Sequence, residues 1–150
     1  MANEPMTESQ FKQMRRFIKP FSAFNVWVYQ LTGGRLMGTF QGRDVCLVRM
    51  TGARSGAPRT VPLMYVPYGE GVIIVASQGG APQSPVWHKN LIAHPDIEVQ
   101  YKRRRMKLRA RRVDDEEKAR LWPVCVEHYP SFDDYQAKTD RNIPVFLCEP

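Results

Sequence analysis

The sequence has only three cysteines, Cys46, Cys125 and Cys148, an odd number with no CxxC pair. That excludes a disulfide framework or a zinc ribbon as the basis of the fold. No apolar run approaches the roughly 20 residues needed to span a bilayer, and Glu4 and Glu8 lie where a signal peptide needs positive charge. A reduced, cytoplasmic protein is expected. No GxSxG or Walker loop is present, His88, His94 and His128 are not spaced as a metal set, and no cysteine carries the local signature of a nucleophile. No metal is expected, and an enzyme so equipped borrows its reactivity from an organic cofactor. Acidic residues are the minority, 15 against 22 Lys and Arg, giving a net charge of +7. Anionic partners follow from this, but charge alone does not separate nucleic acid, lipid and a phosphorylated small molecule.

What is present fits one domain spanning 1–150. Phe11, Met14, Phe17, Ile18, Phe21, Phe24, Trp27, Val28 and Leu31 recur at helical spacing and predict an amphipathic N-terminal helix over about 8–31. Pro20 divides it, and its basic flank of Lys12, Arg15, Arg16 and Lys19 would suit either a membrane surface or the outside of a barrel. Strands are expected at 45–50, 59–66, 72–77, 97–101 and 106–113, with Gly69 and Gly71 marking a hairpin. A helix is expected from Asp114, a good cap, towards His128, then a short helical stretch over 131–137 and a last strand over 142–148. The class is α+β, built on a β-barrel.

Three segments carry candidate chemistry. Thr51 to Arg59 joins two expected strands and combines Gly52 and Gly56 with Arg54, Ser55 and Arg59. Glycines let backbone N–H groups converge on an oxyanion, and guanidinium forks bind phosphate through paired hydrogen bonds; a solvated hairpin would look the same. Ala76 to Pro82 places Gly79 and Gly80 after an apolar strand, where a flat ring could approach the backbone, and leads into Val86, Trp87 and Asn90. Tyr129, Phe132 and Tyr135 are three apart and would form one aromatic face on a short helix, either lining a pocket or packing in the core. The stretch Lys102 to Arg112 has eight basic residues in eleven, but its alternation with Met106, Leu108 and Ala110 predicts a half-buried strand. With only Tyr101 nearby as a stacking platform, nucleic acid is not expected as the partner.

Together these segments resemble the deazaflavin (F420)-dependent nitroreductase family of actinobacteria, also described as F420-dependent quinone reductases. The resemblance runs from Asn25-Val26-Trp27 through Gly38-Thr39-Phe40-Gln41 and the two loop segments. It continues through Trp122-Pro123, Tyr129-Pro130-Ser131, Asp134-Tyr135-Gln136, Thr139-Asp140-Arg141 and Ile143-Pro144 to Cys148-Glu149-Pro150. It implies a split β-barrel with flanking helices, binding reduced coenzyme F420 and passing its hydride to a hydrophobic, electron-poor acceptor. A quinone such as menaquinone is the expected acceptor, with nitro compounds and activated alkenes as further ones. By resemblance Arg54, Ser55 and Arg59 hold the cofactor phosphate, nearby basic groups meet its glutamate tail, and Ser77, Gln78, Gly79, Val86 and Trp87 surround the ring. Ser77, Tyr129 and Tyr135 then face the acceptor. Met64, His88 and Phe132 stand where the nitroimidazole-activating member of the family is expected to have tyrosines, which makes the substrate pocket more apolar. Ala53 and Gln78 each lack a positive charge that relatives tend to carry. The competing expectations are an FMN-dependent reductase on the same fold and a non-enzymatic binder of lipid or nucleic acid. Contact with the inner face of the cell membrane is a further expectation, since a menaquinone resides there.

Overall fold

The computed structural model describes residues 7–9, 24, 26–35, 38–40 and 42–150. Eight antiparallel strands make one sheet: β1 (Thr39–Phe40), β2 (Arg43–Thr51), β3 (Pro58–Met64), β4 (Pro67–Tyr68), β5 (Gly71–Val75), β6 (Asp96–Tyr101), β7 (Arg104–Arg112) and β8 (Val145–Glu149). The helices are α1 (26–32), α2 (Trp87–Ala93), α3 (Asp115–His128) and α4 (Ser131–Ala137). The sheet runs β1-β2-β6-β7-β8-β5-β4, with β3 paired to the free side of β2. Only Tyr65 and Val66 separate β3 from β4, and the chain changes partner between them. Tyr65 donates its N–H to Asp44 O on β2 (2.9 Å), whereas Val66 O accepts from Ile73 N–H on β5 (2.8 Å). That bend curls the sheet into a barrel, split along β3, which ladders with β2 alone. Pro58 and Pro62 suit such an edge, because proline offers no N–H to a second ladder.

β5 is apolar at consecutive positions because both of its faces are covered. Val72 and Ile74 point into the barrel with Phe146, Val48, Val99 and Leu108, and α2 adds Leu91 at the barrel end. Ile73 and Val75 point the other way, against Leu121, Cys125, Tyr129 and Phe132, so the last of these cores lies under α3 and α4. β8 alternates in the same manner, with Phe146 and Cys148 inward and Val145 and Leu147 outward. Fully burying each such aliphatic side chain is worth about 1.5–3 kcal/mol. The expectation for α3 is met in detail: Asp114 caps it by accepting from Glu117 N–H (2.8 Å), and three acids occupy its first turn.

One glycine serves a purpose other than a flexible turn. Gly71 was expected to mark a hairpin, and Gly69 does occupy that turn with φ +56°. At Gly71 the constraint is instead close approach, since a Cβ there would lie 1.8 Å from Cys148 O on β8. β1 and β4, two residues each, carry no local signal and were not expected as separate strands.

The described part of the N-terminal helix lies at 8–9, 24 and 26–32; Pro20 and the basic flank of Lys12, Arg15, Arg16 and Lys19 fall outside the described residues. α1 is fastened by Tyr29, which is buried. Its hydroxyl donates to Val45 O (3.2 Å) and accepts from Lys102 N–H (2.6 Å), bridging β2 and the β6–β7 turn. Leaving those backbone groups unmade should cost Tyr29→Phe about 1–3 kcal/mol. For a 150-residue chain that lowers the thermal midpoint by roughly 3–10 °C in a calorimetric scan; an unchanged midpoint would show that the hydroxyl does not fasten α1.

Candidate active site

β2 ends in the loop 52–57, and β5 ends in the loop 76–86. Because β5 is antiparallel to β4, which continues β3, it runs parallel to β2, and both loops emerge at the same end of the barrel. The first loop is closed by Gly52 N–H to Ala57 O (2.8 Å) and Gly56 N–H to Gly52 O (3.0 Å). Ser55 Oγ accepts from Ala57 N–H (3.1 Å), which leaves its hydroxyl proton to donate outward. Arg54, Ser55 and Arg59 are all exposed on this loop and its edge. Asn90, buried on α2, accepts from Ala53 N–H through its side-chain carbonyl (2.8 Å) and so ties the loop to the helix that caps the barrel.

The second loop is tightly curled. Gln78, Gly79 and Gly80 all have positive φ, 45°, 63° and 77°, and Gln78 is a bulky residue in that region. At Gln78 such backbone strain, of order 1–3 kcal/mol, persists only where surroundings enforce it, and it clusters at functional sites. Gln78 Oε1 and His88 Nε2 are buried with no hydrogen-bond partner. Arg141 braces the loop from below, donating to the carbonyls of Ala76 (3.2 Å), Ser77 (2.6 Å) and Ala81 (2.9 Å) and to Ser84 Oγ (3.2 Å). Val86, at the end of the loop, is an apolar side chain left 59% exposed.

Tyr129 and Tyr135 share a hydroxyl–hydroxyl hydrogen bond of 2.7 Å. Tyr129 is the cap residue after α3, while Phe132 and Tyr135 belong to α4, so the expected single-helix face is made by a helix–helix corner instead. Phe132 meets Tyr129 and Tyr135 edge-on at 4.9 Å and 6.4 Å. Burial, and then the bond with Tyr129, push the Tyr135 phenol above its ordinary pKa, so it stays protonated at neutral pH. The three thiols are buried and each is pushed up to about 12, which keeps them unreactive. Among the described residues no group of three His, Cys, Asp or Glu could hold a metal ion.

Residues 22–150 match the family model of the F420H2-dependent quinone reductases. The chain belongs to this family. It is accordingly an F420H2-dependent reductase. A curated F420H2-dependent quinone reductase of Mycobacterium tuberculosis is 38% identical over 124 residues, 80% of this chain and 83% of that protein. A solved F420H2-dependent reductase is 42% identical with a TM-score of 0.66, covering 70% of this chain and 93% of that one. A second solved structure, described as a domain-swapped dimer, is 41% identical with a TM-score of 0.68 over 82% of this chain and 97% of that one. The heme storage protein HutZ of Vibrio cholerae, 14% identical with a TM-score of 0.55 over 73% of this chain and 83% of its own, shares the fold alone.

The F420-family residues expected from sequence fall into two groups. Arg54, Ser55, Arg59, Ser77, Gln78, Gly79, Val86 and Trp87 lie on the two loops at one barrel end or at the start of α2. Met64, Tyr129, Phe132 and Tyr135 pack in the outer core beside them. His88 stands apart from Met64 and Phe132, with its ring edge on Phe146 of the barrel interior at 5.8 Å. Phe132 is 3% exposed, so it acts on a ligand only through the two phenols it holds. Asn90 is expected from sequence only beside Trp87 in the ring-binding stretch, and Arg141 only within the family resemblance, neither with the contact it makes. Each works through a partner 37 to 65 positions away, and no local pattern announces such a contact.

Gly79 and Gly80, expected to admit a ring, differ in what they do. A Cβ on Gly79 would meet nothing within 4 Å, whereas one on Gly80 would lie 2.6 Å from Tyr135 O. Gly79→Ala should therefore cost about 1–2 kcal/mol from its left-handed backbone alone. Gly80→Ala should cost roughly 2–5 kcal/mol because it also pries α4 from the loop. Urea unfolding of the two variants distinguishes them, and equal costs would contradict the close packing at Gly80.

Proposed function

We propose that reduced F420 binds across the two loops at this barrel end and that the acceptor, a quinone, meets it beside Tyr135. Bound F420H2 supplies a hydride from C5 of its ring. The observation that carries the reading is Gln78, held at positive φ with a buried, unpartnered Oε1. A buried acceptor without a donor is costly, and a ring N–H of the deazaflavin would satisfy it. Val86 and Trp87 would cover an apolar ring face and Ser77 would stand at its edge. Arg54 and Arg59 would grip the phosphate as bidentate donors, with the Ser55 hydroxyl as a third. The glutamate tail would then follow the groove of about 800 Å³ that begins at Gly56 and Pro58, where Arg49 and Lys107 would oppose its charge beside the carboxylates of Asp96 and Glu98.

The protein's own share of catalysis is positioning and proton supply. Holding ring and acceptor together with water excluded provides proximity and orientation. Tyr135, kept protonated by burial, would give its proton to the acceptor oxygen, where negative charge grows during hydride transfer, as the pair turns so that Tyr129 donates to it. Met64 and Phe132 provide no hydroxyl in this region, which favours an apolar quinone over a nitro group that needs polar support. FMN on the same fold is the less favoured reading, because the chain belongs to a family defined by F420H2.

Ion pairing on the β7 face reduces its attraction for a nucleic-acid backbone. Arg105, Arg109 and Arg111 meet Glu98, Asp96 and Glu117, the last in a two-pronged pair at 2.6 and 3.0 Å. Membrane contact is supported at a different place. α1 turns Trp27 and Leu31 outward at 59% and 71% exposure, with Phe24 at 55% just before it and Phe40 at 51%. Such an apolar stripe suits the bilayer boundary in which a menaquinone dissolves. No helix among the described residues is long and apolar enough to cross a membrane.

Titrating the purified protein with F420, then following oxidation of the reduced form on adding a menaquinone analogue, tests the reading directly. Saturable binding with acceptor-dependent oxidation is expected; absence of binding would overturn it. Tyr135→Phe should slow acceptor-dependent oxidation by about 100-fold while F420 affinity stays within about twofold. Bicyclic nitroimidazoles should be reduced far more slowly than the quinone, and equal turnover of both would contradict the apolar pocket. Replacing Phe24, Trp27 and Leu31 together by Ser should abolish flotation with anionic lipid vesicles without altering F420 binding; undiminished flotation would remove α1 as the contact.

A further inference from the structure

Arg141 has no carboxylate partner among the described residues, although a half-buried guanidinium usually finds one. All four of its acceptors are neutral, and they lie at both ends of the curled loop: Ala76 O, Ser77 O, Ala81 O and Ser84 Oγ. Only the planar fork of arginine reaches several fixed acceptors at once; a lysine would satisfy one or two. Its own backbone is fixed in turn. Gln136 on α4 straddles the segment, donating to Arg141 O (2.9 Å) and accepting from Ile143 N–H (3.2 Å). Lys118 on α3 donates to that same Gln136 Oε1 (2.8 Å) and to Asn142 Oδ1 (2.6 Å).

The path is continuous: α3 and α4 hold segment 141–143, that segment aims Arg141, and Arg141 holds the carbonyls on either side of Gln78 and Gly79. Gln78, the one non-glycine residue of the loop at positive φ, would relax if those carbonyls were released. We infer that Arg141 is the positioning residue of the ring-binding loop, presetting the conformation of Ser77 to Gly79 before the cofactor arrives. The inference rests on the proposed placement of the deazaflavin ring, and preorganisation of this kind shows itself as affinity.

The test uses the wild type, Arg141→Ala and Arg141→Lys. Hydrogen–deuterium exchange of the cofactor-free proteins is read over peptides from 76–84 and, as a control, over β5 and β8. In Arg141→Ala the loop peptides should exchange at least about tenfold faster while β5 and β8 keep wild-type protection. In Arg141→Lys the loop should show a smaller change in the same direction. F420 affinity, measured by fluorescence titration, should weaken at least about tenfold in Arg141→Ala and recover with added methylguanidinium, which a variant that is merely unstable would not do. Wild-type protection of 76–84 in Arg141→Ala overturns the inference; if that variant does not fold, wild-type protection in Arg141→Lys does so. A loosened loop with undiminished F420 affinity instead overturns the placement of the ring against Ser77 to Gly79 and with it the link to binding.

Discussion

The double burial of β5 is the constraint on which the other features depend. Five consecutive buried residues can be accommodated only by a strand with a packed layer on each side, so the barrel interior and the α3–α4 layer must both exist and meet there. β8 is forced into the same condition through its register with β5, Ile73 opposite Leu147 and Ile74 opposite Phe146. Once β5 is fixed between two cores, its exit at Ala76 is fixed as well. The loop that follows cannot drift, because α4 packs against Gly80 on one side and Arg141 grips its carbonyls from below. A strained, incompletely satisfied loop is thereby mounted on a strand buried on both faces.

That arrangement separates stability from function within one short stretch of chain. The hydrogen bonds that organise the loop run to backbone carbonyls, leaving the side chains of Gln78 and Val86 uncommitted. The same division appears at the 52–57 loop. There Asn90 and the glycine-centred backbone bonds set the shape, while the guanidinium groups of Arg54 and Arg59 face solvent. In both loops the residues that hold the shape are buried or contact the backbone, and most of the residues suited to a ligand are free of that task, Ser55 serving both through its bond from Ala57 N–H.

Elements set by local signals are legible in the sequence, and features set by long-range contacts are not. The start of α3 follows from Asp114 and the acids behind it, and α4 falls on 131–137 as its composition indicates. The interior of β7 follows from alternation, but its ends are set by partners: β7 begins at Arg104, not at Met106, because Tyr101 pairs with Arg104 across a two-residue turn. The barrel closure between Tyr65 and Val66 has no compositional mark at all. Glycines were legible as special positions, yet the reason at Gly71 and Gly80 is a carbonyl from another element, which only the folded chain supplies. The site residues on the two loops came from resemblance to the family, whereas Asn90 and Arg141 contribute through contacts that close only on folding.

The pair of phenols at the α3–α4 corner follows the same logic in its chemistry. Tyr129, buried, is a fixed donor or acceptor, and Tyr135, only half-buried, is the partner that can face a ligand. Burial raises the cost of a phenolate at Tyr135, and the neighbouring hydroxyl of Tyr129 raises it further, so the group holds its proton until charge develops close by. A fully solvated phenol would have no such preference, and a fully buried one would have no access. Phe132 keeps the pair in place edge-on without competing for the hydrogen bond. A tyrosine there would add a third hydroxyl and a choice of networks. With phenylalanine no third hydroxyl competes within the aromatic cluster, and Tyr135 is the member whose backbone packs against Gly80 of the curled loop.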